Sequence, residues 1–190
     1  MTCIASVKWR RIDLPGTDEC RLLEEEKGWL LAGLAEYVEK GKAYRFEYRV
    51  ECDPSWKTRS GHIQGWIERR EIQWDYHRAS NGLWNLNGAE ASGLEAGLDI
   101  DLGFSPATNL AQIRRLDLKA GESADLPVAW LDPETGSLSY LLQSYRRLST
   151  STYAYESPGV GYAETLEVDP VTGFALRYPD LWVAVDLHAS

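Results

Sequence analysis

The segment from Asp99 to Leu116, DIDLGFSPATNLAQIRRL, carries one helical pattern in a chain whose other patterned runs read as strands. That combination narrows the possible folds sharply, because a lone helix in a sheet protein fills the concave side of the sheet. Ser105-Pro106 supplies an N-cap hydroxyl followed by proline at the first helical position, where a missing N–H costs nothing. Leu110 and Ile113, extended by Ala107 and Leu116, form an apolar stripe at helical spacing. Arg114 and Arg115 fall in the last turn, where cations complement the helix terminus. These signals predict a helix from about Ser105 to Leu116, the only one longer than two turns. So short a helix is marginal alone and must be held by packing.

Strand periodicity runs through the rest. Tyr44, Phe46, Tyr48, Val50 and Cys52 alternate with Arg45, Glu47, Arg49 and Glu51, the pattern of a half-buried antiparallel strand. Ile72, Trp74 and Tyr76 alternate with Asp75 and His77. Near the carboxyl end, Leu181, Val183, Val185 and Leu187 are expected on one face, with Trp182, Ala184 and Asp186 on the other. Asn81-Gly82 is a two-residue hairpin signal, and Asn87-Gly88 is a second. Asp132-Pro-Glu-Thr-Gly136 and Asp169-Pro-Val-Thr-Gly173 repeat one turn design, with Pro fixing φ early and Gly supplying the left-handed residue. Connections this short predict a meandering antiparallel sheet rather than parallel strands joined by helices. No composition shift marks a boundary, so residues 1–190 are expected to form one domain.

A chain of 190 residues can bury a sizeable core. Its formal net charge of -9 disfavours nucleic acid and anionic membrane surfaces, whose affinity comes largely from clustered Lys and Arg. Cys3, Cys20 and Cys52 are odd in number and lack CxxC spacing, which suggests neither a disulfide framework nor a zinc site. The amino terminus has no apolar run of signal-peptide length, and no segment reaches the roughly 20 apolar residues of a membrane span. The expectation is a soluble, cytoplasmic protein.

Catalytic signatures are sparse. His62, His77 and His188 lack metal-ligand spacing, and neither a nucleophile elbow nor a phosphate-binding loop is present, so no metal or cofactor is expected. Asp99 and Asp101 share a strand face about 7 Å apart at Cα, within reach of glycosidase-like acid/base chemistry. The favoured reading of the two is structural: buried carboxylates neutralised by Arg114 or Arg115, fixing how the helix docks. Trp66, Trp74, Tyr76 and Trp84, near the Asn81-Gly82 turn, are candidates to stack on a sugar or line a lipid cleft. For any one of them, cross-strand packing over a sheet face is the favoured reading. A second candidate lining comprises Tyr140, Tyr145, Arg146, Tyr153 and Tyr155.

The run Asp99–Leu110 with Ile113-Arg-Arg-Leu116, together with Trp9-Arg-Arg-Ile-Asp13 and Tyr178-Pro-Asp-Leu-Trp182, resembles a family of small bacterial proteins described as glycolipid-binding. The resemblance spans essentially the whole chain. It implies a spiral β-roll, a long antiparallel sheet curled around a single helix, similar in shape to bacterial lipoprotein carriers and capable of dimerising. Residues and resemblance together suggest a non-catalytic protein for an amphipathic, glycolipid-like small molecule. Ligand contacts are expected from Trp66, Trp74, Tyr76, Trp84, Asp99, Asp101, Arg114, Arg115, Tyr145 and Arg146. The alternatives are a glycosidic-bond hydrolase using Asp99 and Asp101, and a structural module with a filled core.

Overall fold

The computed structural model describes residues 1–189. Eight strands come first: β1 (Thr2–Arg11), β2 (Gly16–Glu25), β3 (Gly28–Glu39), β4 (Lys42–Cys52), β5 (Thr58–Ile67), β6 (Arg70–Arg78), β7 (Trp84–Leu86) and β8 (Ala89–Glu90). Then β9 (Asp99–Leu102) leads into the helix α1 (Thr108–Leu116). Six strands follow: β10 (Ser123–Asp132), β11 (Ser137–Arg147), β12 (Thr152–Ser157), β13 (Tyr162–Val168), β14 (Ala175–Tyr178) and β15 (Trp182–Ala189). All fifteen strands form one sheet, ordered β8 through β1, then β15 back down to β9. The first and last strands therefore pair at its centre, while its two edges, β8 and β9, are neighbours in sequence.

Residues 91–98 link those edges, and side chains draw them together without closing a barrel. Arg78 Nη2 and Trp84 Nε1 donate to the Leu98 carbonyl at 2.5 and 3.0 Å, and Thr58 N–H donates to Asp99 Oδ1 at 3.1 Å. The curled sheet encloses α1, whose residues Thr108 to Ile113 are all buried. Ala107, Leu110 and Ala111 join the core formed by Trp9, Phe46, Tyr48 and Phe104, whereas Ile113 joins a second cluster around Val128, Tyr145 and Leu166. The predicted helix is present but starts at Thr108 rather than near Ser105, with Ala107 at its N-cap and no side-chain cap; Ser105 Oγ accepts the Ala107 N–H at 3.1 Å in the turn before it.

Three expectations need correction. The sheet is not wholly antiparallel: β9 and β10 pair in parallel, because the chain crosses from one to the other through α1. Asn81-Gly82 is not a two-residue turn. Only Gly82 of the pair has positive φ, and the connection spans residues 79–83, whereas Asn87 and Gly88 both take positive φ and form the tight β7–β8 turn. In β15, Trp182 is buried and Val185 is 53% exposed. The β1–β15 register skips Val185, so a bulge interrupts the alternation and places Trp182, Ala184 and Leu187 on the inner side. Tyr44 to Cys52 alternates as expected, and both Asp-Pro turns are tight, closed by Gly136 N–H to Asp132 O and Gly173 N–H to Asp169 O.

Candidate ligand pocket beside the helix

Two buried carboxylates lie on β9, and α1 runs back along that strand to meet them. Asp99 is the seam residue: Arg115 Nε lies 2.5 Å from its Oδ2 and Arg78 Nη2 lies 3.5 Å from its Oδ1. Burial pushes its carboxyl above the ordinary range, opposed by Arg115, the Thr58 N–H and Arg78. The expected Asp–Arg scaffold is thus present at Asp99. It does not extend to the other two groups. Arg114 turns away to the Val171 and Thr172 carbonyls, and Asp101 has no arginine beside it.

Asp101 instead receives the Thr108 hydroxyl and the Gln143 amide, each at 2.7 Å. Burial pushes its carboxyl up, and these two donors oppose the shift. A polar network continues from it through the core. Tyr145 donates its one proton to Gln112 Oε1 at 2.6 Å, its oxygen lies 3.2 Å from Gln143 Oε1, and Asn109 Nδ2 donates to that oxygen at 2.8 Å. Gln112 Nε2 is buried without a partner among the described residues, so the network is not fully satisfied.

Asp101 also borders a pocket of about 300 Å³ between the start of α1 and strands β10 to β15. Leu141, Val160 and Leu181 supply aliphatic wall, Trp130, Tyr155, Tyr162, Tyr178 and Trp182 supply rings, and Ser105, Asn109 and Ser157 add polar groups. Tyr155, Tyr162 and Tyr178 pack mutually, with centroids 5.0 to 5.9 Å apart, and Tyr162 is anchored by its hydroxyl to the Pro179 carbonyl at 2.6 Å. The pocket joins two of the segments singled out in the sequence. Asp99–Leu110 gives its floor, Tyr178 and Trp182 give a wall, and Arg11 from the Trp9–Asp13 run sits over the Trp182 ring at 5.1 Å.

A larger hollow, about 840 Å³, lies across the outer face of β15 and β1 to β5. Among its charged groups Lys8 pairs with Glu19 and His188 with Asp186, while Gln64 donates to Glu47, and Arg21 and Arg49 make no ion pair among the described residues. The smaller pocket is the better candidate because its one carboxylate is buried and lacks a cation.

A family model described as "Putative glycolipid-binding" matches residues 6–184. The chain belongs to that family. Its structure is similar to the crystal structure of a DUF1089 family protein from Pseudomonas aeruginosa, with a TM-score of 0.74 and 26% identity over 86% of this chain and 90% of that one. It also matches a beta-barrel-like protein of the domain of unknown function DUF1849 from Brucella abortus, with a TM-score of 0.57. There the identity is 8% over 100% of this chain and 98% of the other, which speaks to the fold alone. No curated protein matches.

In this member of the glycolipid-binding family the sequence-derived candidates are dispersed. Trp74, Tyr76 and Trp84 are core residues, 6%, 1% and 0% exposed, while Trp66 stands on the outer face. Tyr145 is buried in the polar network, Arg146 and Tyr140 are exposed, and Tyr153 packs in the second cluster. Of the ten candidates only Asp101 borders the pocket, and of the second candidate lining only Tyr155 does. Sequence reasoning missed Asn109, Gln143, Trp130 and Tyr162. Gln143 was discoverable, since it keeps the inward register of Leu141 and Tyr145. His62 and His188 sit at the surface beside Asp75 and Asp186, and the three cysteines are free. No helix is long and apolar enough to cross a membrane among the described residues.

Proposed function

We propose that residues 1–190 act as one roll domain that binds an amphipathic, glycolipid-like molecule without transforming it, and that the ligand enters the pocket beside α1. One observation carries this reading: two separate sequence segments that resemble the glycolipid-binding family, Asp99–Leu110 and Tyr178–Trp182, meet at that pocket, where apolar and aromatic walls surround a few polar groups. This is the usual make-up of a small-molecule site. A volume of about 300 Å³ stands at the lower end for such sites and equals roughly ten water volumes. It suits one headgroup ring or a short stretch of chain, with the remainder of the ligand lying across the mouth at Val160, which is 52% exposed. A hydrolytic role finds no support in the geometry, because Asp99 is held by Arg115 and Arg78 and does not share the pocket with Asp101.

The test is to purify the full chain from cells, denature it and analyse the released small molecules by mass spectrometry, alongside calorimetric titration with octyl glucoside. A lipid-like molecule released in stoichiometric amount, or saturable binding of the glucoside, supports the reading. Protein that is repeatedly empty and binds no amphiphile overturns it.

A further inference from the structure

The carboxylate at the floor of the pocket is chemically incomplete. Asp101 is 9% exposed. Thr108 Oγ1 accepts the Leu102 N–H at 3.2 Å and donates to Asp101 Oδ1, while the Gln143 amide nitrogen donates to Oδ2. Both oxygens act as acceptors, the hydrogen bonding that suits a carboxylate. Among the described residues no Lys, Arg or His pairs with it, whereas Asp99, two residues earlier, has two arginines. Buried charges are normally paired. The neutral donors meet part of that need and leave the residue, which borders the pocket, without a counterion.

The walls offer a complementary chemistry. Trp130, Tyr155, Tyr162, Tyr178 and Trp182 present rings around one small volume, and ring faces attract cations, with ammonium groups in aromatic cages as the established use. A carboxylate at the base of such a cage adds a formal charge to the ring quadrupoles. A neutral sugar would also stack on these rings, but it would leave the charge at Asp101 without a counterion.

We infer that the pocket beside α1 receives an organic ammonium group, carried by the amphiphile as an amino sugar or an amine headgroup, with Asp101 as its counterion and the surrounding rings as its cage. The inference rests on the proposed binding of an amphiphile at this pocket and specifies which part of the ligand enters it.

Titration of the full chain with octylammonium and octyl glucoside, each below its micelle concentration at neutral pH, separates the two statements. The expected result is octylammonium bound about tenfold or more tightly than the glucoside, from the combined ion pair and cation–π contacts. Asp101→Asn should abolish that preference. Tyr162→Leu, at a half-buried wall position, should weaken octylammonium by severalfold and retain the fold. In the parent protein, octylammonium should also shift the Gln143 side-chain amide resonance, a readout that does not depend on a variant folding. Equal affinities, a preference for the glucoside, a preference surviving Asp101→Asn, or an unmoved Gln143 resonance overturns the ammonium assignment and leaves amphiphile binding standing. Binding of neither probe overturns both.

Discussion

Asp18 offers the sharpest physical test of the core. It is fully buried on β2, accepts the Tyr48 hydroxyl at 2.9 Å and is bonded to Ser105 Oγ, so it ties β4 and the turn before α1 to β2. Tyr48 reaches it by lying across Gly33, where a Cβ would come within 2.4 Å of the ring. Burial raises the Asp18 carboxyl from 3.8 to about 7, with the Ser105 and Tyr48 hydrogen bonds only partly opposing the shift. The folded state therefore binds this proton more tightly than the unfolded state does. Stability from this group is full below pH 3.8, declines as pH rises towards about 7, and is constant above that. At about 1.4 kcal/mol per pH unit the whole span corresponds to about 4 kcal/mol. Asp18→Asn preserves the shape of the neutral acid, with Oδ1 accepting from Tyr48 and Nδ2 donating to Ser105, and removes the titration. Urea unfolding of parent and variant at pH 5 and pH 8 should show the variant gaining about 3 kcal/mol on the parent between those values. Stability curves that run parallel over that range would refute the claim that Asp18 ionises at a cost inside the fold.

Leu110→Ala, at a fully buried position of α1, should cost about 2 to 5 kcal/mol by chemical denaturation, since it opens a cavity at the centre of the roll. Gly28→Ala should lower the melting temperature markedly: φ is +136° and a Cβ would lie 2.1 Å from the Cys52 carbonyl oxygen, so the β3–β4 pairing must shift. Asp99→Ala should cost about 3 to 5 kcal/mol because it leaves Arg78 and Arg115 without their carboxylate, whereas Asp101→Ala, which deprives only neutral donors, should cost about 1 to 3. Equal losses at the two positions, measured by urea unfolding at pH 7, would contradict the assigned partners.

The helix and the strand character were legible because they depend on local signals. Ser105-Pro106, the Leu110–Ile113 stripe and the Tyr44–Cys52 alternation each state their structure within a few residues. What failed was set at a distance. Asn81-Gly82 and Asn87-Gly88 carry the same turn chemistry, and only the strand registers beyond them decide that the second is the two-residue turn. The Val185 bulge is imposed by pairing with β1, a strand at the opposite end of the chain. The family resemblance led to two segments that line the pocket, yet of the aromatic candidates, which lie near turns in sequence, only Tyr155 reaches it, because the pocket draws its rings from β10, β12, β13, β14 and β15. Asp18 was invisible for the same reason, since its partners lie 30 and 87 residues away.

The single parallel pairing explains why polar chemistry collects where it does. An antiparallel meander can turn from strand to strand over its edge, but β9 and β10 run the same way, so the chain between them must return along the full length of β9. Here the return is α1, and it travels inside the roll. Its first turn then meets the carboxyl end of β9 and its last turn meets the amino end, which sets Thr108 against Asp101 and Arg115 against Asp99. One crossover thus delivers a cation to one carboxylate and a neutral hydroxyl to the other. The first carboxylate is consumed in holding the seam between β9 and β5–β6. The second has only neutral donors, and because the helix begins beside it, it borders the pocket at the first turn. Placing both carboxylates on one face of a four-residue strand is what lets the same segment close the fold and furnish the floor of the site.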